Sequence, residues 1–240
     1  MDEQVNQSES KISTGSAISG IYFDPEKTFR SIKEYPSWVV PFILSLIVTA
    51  FMAFSTHGIQ LEFQKDMILK SEKIPDNIKD QQLESFENPG FTQSPAFAAV
   101  MGVVMDVIYF VMTTLAILVM GNFILGGKSN FMSVFTMVCW AGMIGVVELI
   151  VKTIIMVAKG SIHAYTSLAL FMDPSQFKSL SFQLLNVFDV FTIWKLVVFI
   201  AGFMVFYNFP RSKAITGIVI LFVVFTAIKI GWFQIMMSFV

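Results

Sequence analysis

Residues 131–158 read FMSVFTMVCWAGMIGVVELIVKTIIMVA, an apolar run whose only charged residues are Glu148 and Lys152. A helix needs about 20 predominantly apolar residues to cross a bilayer, and this run is longer than that. It is also too long and too uniformly apolar for a barrel strand. Because backbone polar groups must pair internally in hydrocarbon, the run predicts a transmembrane helix.

Four similar runs lie on either side of this one. The sequence predicts transmembrane helices at about residues 38–57, 96–125, 131–158, 187–209 and 214–240. Trp38, at the mouth of the first, is an aromatic of the kind enriched at membrane interfaces. The predicted fold class is therefore all-α, a polytopic bundle of five transmembrane helices.

The composition excludes a water-soluble globule. Hydrophobic residues make up 55% of the 240 residues and charged residues 14%, and the mean hydropathy is +0.70. An ordinary soluble domain carries about a quarter charged residues. The high hydrophobic content makes the lipid bilayer the first expected partner. The net charge of −1 provides no basic field for nucleic acid, which is therefore not an expected partner.

The N-terminal residues differ from the rest of the chain. Residues 1–20 are polar and serine-rich, which predicts a disordered cytoplasmic tail. Pro25 then suits the first position of a helix, and Phe29 and Ile32 fall on one side of it among basic residues. We expect a short amphipathic helix in the membrane interface that ends before Pro36.

Two long polar connections alternate with two short basic turns. Residues 58–95 predict an exposed loop with some helix, divided at Pro75, and residues 159–186 predict a second loop with a short helix at 176–185. The short turns carry Lys128, and Arg211 with Lys213, without acids. Lysine and arginine in short loops favour the cytoplasm, so we expect the N-terminus inside and residues 58–95 outside.

Six ionisable residues interrupt the apolar runs, where charge is costly and calls for a reason. At 1.5 Å per residue they lie about 21 to 31 Å above the cytoplasmic ends of their helices. Two interpretations remain open. The lysines snorkel to the outer surface with acids beside them, or the residues form a polar cluster that lines an outward-facing cavity or a partner groove. The six are Asp106, Glu148, Lys152, Asp189, Lys195 and Lys229.

The spacing predicts some pairs within this set. Glu148 and Lys152 are four residues apart with the acid first, the better order for a pair within one helix. Lys195 and Lys229 need acids from other helices, and Asp106 is the unassigned acid that we expect to supply one.

No pattern in the sequence indicates catalysis. The chain has no glycine-rich phosphate loop, no HExxH motif, no nucleophile elbow and a single cysteine, Cys139. His57 and His163 have no carboxylate or cysteine at metal-ligand spacing. We therefore predict no catalytic residues, no cofactor and no metal.

Three local patterns occur in a fixed order. They are FDPEKTF with YPSWVVP at residues 23–29 and 35–41, a Gly126-Gly127 turn before Phe131, and LNVFDVFTIW with RSKA at residues 185–194 and 211–214. In this order they resemble the YIP1 family in its bacterial form. The resemblance covers residues 21–240 and implies one five-helix domain in the bacterial plasma membrane.

For function, the resemblance implies a non-enzymatic accessory or scaffold subunit of a membrane complex. Some bacterial relatives are thought to work beside ABC-type exporters, so the resemblance implies such an exporter as the membrane-protein partner. Eukaryotic members are linked to Rab GTPases and vesicle traffic and carry a cytosolic Asp-Leu-Tyr-Gly-Pro signature, which this sequence lacks. A small transporter or channel that uses the polar cluster and a membrane-traffic factor are the alternatives.

Overall fold

The computed structural model describes residues 12–71, 73–87 and 90–238, which fold into ten α-helices and no strand. A π-helical turn at Val119–Ile124 extends the fifth helix, and 3₁₀ turns occupy Phe91–Gln93, Leu168–Phe171 and Pro174–Lys178. The α-helices are α1 Thr14–Phe23, α2 Pro25–Glu34, α3 Val39–Lys70, α4 Asp76–Glu87, α5 Pro95–Leu118, α6 Phe131–Ala141, α7 Met143–Lys159, α8 Leu180–Val187, α9 Val190–Tyr207 and α10 Arg211–Ser238.

Five helical spans in the described part of the chain are long and apolar enough to cross a membrane, which confirms the predicted all-α membrane fold. The third span joins α6 and α7 at Gly142. The spans are Val39–Lys70, Pro95–Ile124, Phe131–Lys159, Val190–Tyr207 and Arg211–Met237.

Several predicted boundaries differ from the observed ones. The fifth transmembrane helix begins at Arg211, and the predicted helix at 176–185 is replaced by a 3₁₀ turn followed by α8. Two other differences have a clear local cause. The first transmembrane helix, α3, continues to Lys70, well beyond residue 57. Gly58 is followed by good helix formers, and the next proline is Pro75. The fourth transmembrane helix, α9, begins at Val190 and not at residue 187. The side chain of Asp189 caps it there, accepting a hydrogen bond from the Phe191 amide at 2.8 Å.

The α6–α7 span is the centre of the bundle. In its most apolar stretch 67% of the residues are buried, against 17% in the corresponding stretches of the first and fifth spans. Helix α5 packs closely against this span at Gly142, because a Cβ atom added there would lie 2.8 Å from the Phe110 ring. An added Cβ at Gly202 would similarly lie 2.7 Å from Met137 Cγ, which shows how tightly α9 packs on α6.

The prediction of a disordered tail over residues 1–20 is wrong for the part that the structure describes. Residues 14–20 belong to α1, which Ser13 caps by accepting a hydrogen bond from the Ser16 amide at 3.2 Å. Ala17 and Ile21 are buried one turn apart against the core, and the Tyr22 hydroxyl donates a hydrogen bond to the Met143 carbonyl oxygen at 3.0 Å. A few side chains therefore dock a polar-looking helix. Residues 1–11 lie outside the described residues.

The predicted helix after Pro25 is confirmed as α2, but its apolar face is turned towards protein. Phe29 and Ile32 are buried in the core, and the Phe29 ring contacts that of Phe206 on α9 at a centroid distance of 6.0 Å. Their side chains therefore do not face lipid. A position of α2 in the membrane interface stays a prediction, as does an interfacial role for Trp38, whose ring packs on Phe135 at 5.4 Å.

The two polar connections meet at one end of the bundle, and we call the described residues of 58–94 and 160–189 the cap. The Phe63 ring lies 5.8 Å from the rings of both His163 and Phe177, joining the two connections. Lys65 Nζ lies 5.3 Å above the Phe86 ring and holds α4 against the end of α3. The opposite end carries α1, α2 and the two short basic turns.

Candidate functional site

Four of the six ionisable residues form one continuous chain of ion pairs, which we call the charge network. Glu148 receives Lys152 Nζ at 2.6 Å on Oε1 and Lys195 Nζ at 2.7 Å on Oε2. Lys152 Nζ also lies 3.2 Å from Asp189 Oδ2. The network links α7 to α9 and to the residue that caps α9.

The predicted pair of Glu148 and Lys152 is confirmed, but the predicted acid for Lys195 is wrong. Lys195 pairs with Glu148, whose two carboxylate oxygens serve two lysines at once. Asp106 is turned towards α3, where its Oδ2 accepts hydrogen bonds from Ser45 Oγ at 2.8 Å and Thr49 Oγ1 at 3.1 Å.

Asp189 fixes the cap to the bundle. It is 2% exposed, and its Oδ2 accepts a hydrogen bond from Thr166 Oγ1 at 2.6 Å, while Ser167 and Asp189 pair as an isolated antiparallel bridge. Burial acts to raise the pKa of Asp189, but the Thr166 hydrogen bond and the nearby Lys152 charge outweigh it, so the pKa lies below its ordinary value.

Asp106 and three of the four members of the charge network face a shared cavity of about 270 Å³ between α3, α5 and α7. Its charged lining residues are Asp106, Glu148, Lys152 and Lys195, so acids and bases balance. Ser45 and Thr49 were not among the predicted site residues. Their i,i+4 spacing in an apolar run was the available signal, because it places two hydroxyl groups on one helix face.

Lys229 lies apart from the network. It lines a second cavity of about 410 Å³ between α5, α9 and α10, with α8 at one end. Within the chain that the structure describes, the Lys229 side chain makes no ion pair and no hydrogen bond. The six predicted residues thus separate into the charge network, Asp106 with its two hydroxyl partners, and Lys229.

The ion pairs of this arrangement act to hold structural elements together. Replacing one member of a buried ion pair leaves its partner uncompensated in a poorly solvated setting, which is strongly destabilising. The network therefore holds α7, α9 and the cap in one geometry. Among the described residues, no group of three His, Cys, Asp or Glu side chains is placed to hold a metal ion.

The two histidines lie in the cap or beside it. His57 Nε2 lies 2.8 Å from the Gln93 carbonyl oxygen, and His163 Nδ1 lies 2.8 Å from the Tyr165 hydroxyl. Burial, with a smaller contribution from the Lys159 charge, holds the pKa of His163 below its ordinary value. The His57 ring is thus engaged in a hydrogen bond to the cap, and the His163 ring in packing and hydrogen bonding within it.

Comparison with known families identifies the family of the chain. A family model described as the Yip1 domain matches residues 19–233, which include all six ionisable residues. No curated protein and no solved structure matches the chain.

Proposed function

The chain belongs to the Yip1 family of membrane proteins, and we propose that it serves as a non-enzymatic accessory or scaffold subunit of a membrane complex. The cap is the observation that carries this proposal. Helix α4 contains no buried residue, although it is folded and held to α3. A structured, charge-rich element that adds nothing to the packing of the bundle is suited to contact with another protein.

The surface of the cap supports the same proposal. Phe91 is 70% exposed and Phe171 is 84% exposed. Aromatic residues are enriched in the buried centres of protein interfaces, and leaving two of them in water has no benefit for the isolated chain. The charge network complements this surface, because it holds the cap in a fixed position on the bundle.

We further propose that the protein lies in the bacterial plasma membrane with the N-terminus in the cytoplasm and the cap outside. The support is the basic end of the bundle, where Lys128, Arg211 and Lys213 occupy short turns without acids. The partner that the family resemblance suggests is an ABC-type exporter.

The orientation is tested by cysteine labelling in intact cells. An impermeant thiol reagent should label Ser85→Cys, on the exposed face of α4, and should label Lys128→Cys only after permeabilisation. The native Cys139 is buried and should give little background. The reverse pattern would contradict the proposed orientation.

The partner is tested by photo-crosslinking in membranes of the natural host. A photoreactive residue at Ile78 on α4 or at Phe171 should yield one discrete adduct with a membrane protein, identified by mass spectrometry as an exporter subunit. A matched control is the exposed Phe123 at the opposite end of the bundle. A discrete adduct with an unrelated membrane protein would contradict the exporter, and no adduct from either cap position would contradict the scaffold itself.

A small transporter or channel is the second candidate, and Asp106 is the observation that favours it. This carboxylate faces a cavity inside a spanning bundle and forms no ion pair among the described residues. If it carried a cation or a proton, the purified protein in liposomes would show a flux that Asp106→Asn abolishes. A flux of this kind would replace the scaffold proposal.

A further inference from the structure

The cavity beside Lys229 has a polar end and an apolar end. Asn186, Thr226 and Lys229 line the end near the cap, and Ile117, Phe199 and Ile218 line the end that lies deep in the bundle. Asn186 Oδ1 accepts a hydrogen bond from Ser167 Oγ at 2.7 Å, which leaves the amide NH₂ group of Asn186 to donate. This separation of donors from hydrocarbon matches an amphiphilic ligand.

The length of the cavity matches one leaflet of a bilayer. Its lining residues on α10 run from Ile218 to Ile230, about 18 Å along the helix at 1.5 Å per residue. One leaflet contributes about 15 Å of a hydrocarbon core that is about 30 Å thick. Lys229 lies about 27 Å from the start of α10 at Arg211, which places its ammonium group near the headgroups of the leaflet on the cap side.

The cavity opens sideways as well. Tyr109 and Met112 on α5 and Phe225 on α10 line it and are nevertheless exposed. Since α5 and α10 are apolar spans, the exposed sides of these residues face the region that lipid occupies. An acyl chain can therefore enter between the two helices from the bilayer.

The charge at the polar end is a surplus positive charge. None of the described residues that line the cavity is acidic, and its two cations are Lys195 and Lys229. Glu148 neutralises Lys195 at 2.7 Å, whereas Lys229 has no such partner in the described chain. The unbalanced ammonium group complements a phosphate.

We propose that this cavity binds an anionic phospholipid from the leaflet on the cap side. One acyl chain lies along α10 towards Ile218, and the phosphate contacts Lys229, with the Asn186 amide and the Thr226 hydroxyl as neutral donors. The proposal does not depend on the outer surface of the cap, and of the charge network it uses only the neutralisation of Lys195 by Glu148, so it stands independently of the scaffold function.

The test measures lipid binding to the purified, delipidated full-length chain by native mass spectrometry. The probes are phosphatidylglycerol, the zwitterionic phosphatidylcholine and inorganic phosphate. The wild type should bind one phosphatidylglycerol molecule in preference to phosphatidylcholine, and inorganic phosphate should not compete. Loss of one charge-assisted contact should weaken phosphatidylglycerol binding to Lys229→Gln about tenfold. Lys128→Gln, the same change at the opposite end, should bind as the wild type does.

A second variant tests whether the lipid occupies the cavity itself. Thr226→Trp fills the polar end of the cavity and should reduce binding of both lipids, with folding checked by the melting temperature. Equal binding of the two lipids, competition by inorganic phosphate, or equal losses in Lys229→Gln and Lys128→Gln would each overturn the proposal. Because Lys229 is exposed, its replacement leaves the packing intact and the result interpretable even if Thr226→Trp does not fold.

Discussion

The α6–α7 span and α10 are both apolar and both carry a lysine towards the cap end, yet only one of these lysines has ionic partners in the described chain. Lys152 on α7 lies between Glu148 and Asp189, in a span where 67% of the residues in the apolar stretch are buried. Lys229 on α10 has no ionic partner in the described chain, in a span where 17% of those residues are buried. The comparison shows that packing, more than hydropathy, determines whether a charge in a spanning helix must be neutralised within the protein.

The largest expected effect is that of Glu148→Gln. This change removes the carboxylate that serves two lysines and leaves both without their closest acid, which should lower the free energy of unfolding by about 3 kcal/mol or more. The measurement is thermal or denaturant unfolding in detergent. Glu84→Gln, the same substitution on exposed α4, is the control and should change stability by less than about 0.5 kcal/mol. Equal effects would remove the distinction between the two regions.

Lys152→Met should have an intermediate effect. Glu148 keeps Lys195 in this variant, and Asp189 keeps Thr166 and its role as helix cap. We expect a loss of about 2 kcal/mol in the same unfolding measurement, below that of Glu148→Gln. A loss larger than that of Glu148→Gln would show that Lys152, and not Glu148, is the centre of the network.

Thr166→Val should have a smaller effect that depends on pH. The substitution removes the hydrogen bond to Asp189 Oδ2, which should cost about 1.5 kcal/mol near neutral pH. The folded-state pKa of Asp189 lies below its ordinary value, so its ionisation stabilises the fold at pH values above the ordinary pKa. This stability is lost as the pH falls through the folded-state pKa.

The corresponding measurement is the melting temperature as a function of pH. Without Thr166, the folded pKa of Asp189 should rise towards its ordinary value. The acid-induced loss of stability in Thr166→Val should therefore be smaller than in the wild type. An identical pH profile would show that Thr166 does not favour the ionised form of Asp189.

The smallest expected effect is that of Lys229→Met. Because no described group of the protein pairs with this ammonium group, the melting temperature in detergent should change by less than the equivalent of about 0.5 kcal/mol. A loss comparable to that of Lys152→Met would indicate an ionic partner for Lys229 and would break the comparison between α7 and α10.

Much of the architecture was accessible from the sequence because hydropathy is a local property. The five spans follow from runs such as residues 131–158, and the start of α2 follows from Pro25. The continuation of α3 to Lys70 was missed because polar helix formers carry no hydropathy signal. The docking of α1 was missed because few side chains hold it against the core, chiefly Ala17, Ile21 and Tyr22, and they stand out little in a polar segment.

The pairing within the site was harder to predict for a different reason. Counting residues along a helix gives the height of a charge in the membrane, but it does not give the direction in which the helix turns that charge. Asp106 and Glu148 were both placed in the outer part of the bilayer, yet one faces Ser45 and Thr49 on α3 and the other faces Lys195 on α9. Only packing determines that rotation.

The most direct test of the central claim, that Glu148 and its lysines lock the bundle, is a double-mutant cycle for Glu148→Gln and Lys195→Met. The reference cycle combines Asp106→Asn with Lys195→Met, and unfolding in detergent is the measurement for both. The structure predicts a coupling energy of about 1 to 3 kcal/mol for Glu148 with Lys195 and less than about 0.5 kcal/mol for Asp106 with Lys195. Additive effects in the first cycle, or a larger coupling in the second, would contradict it.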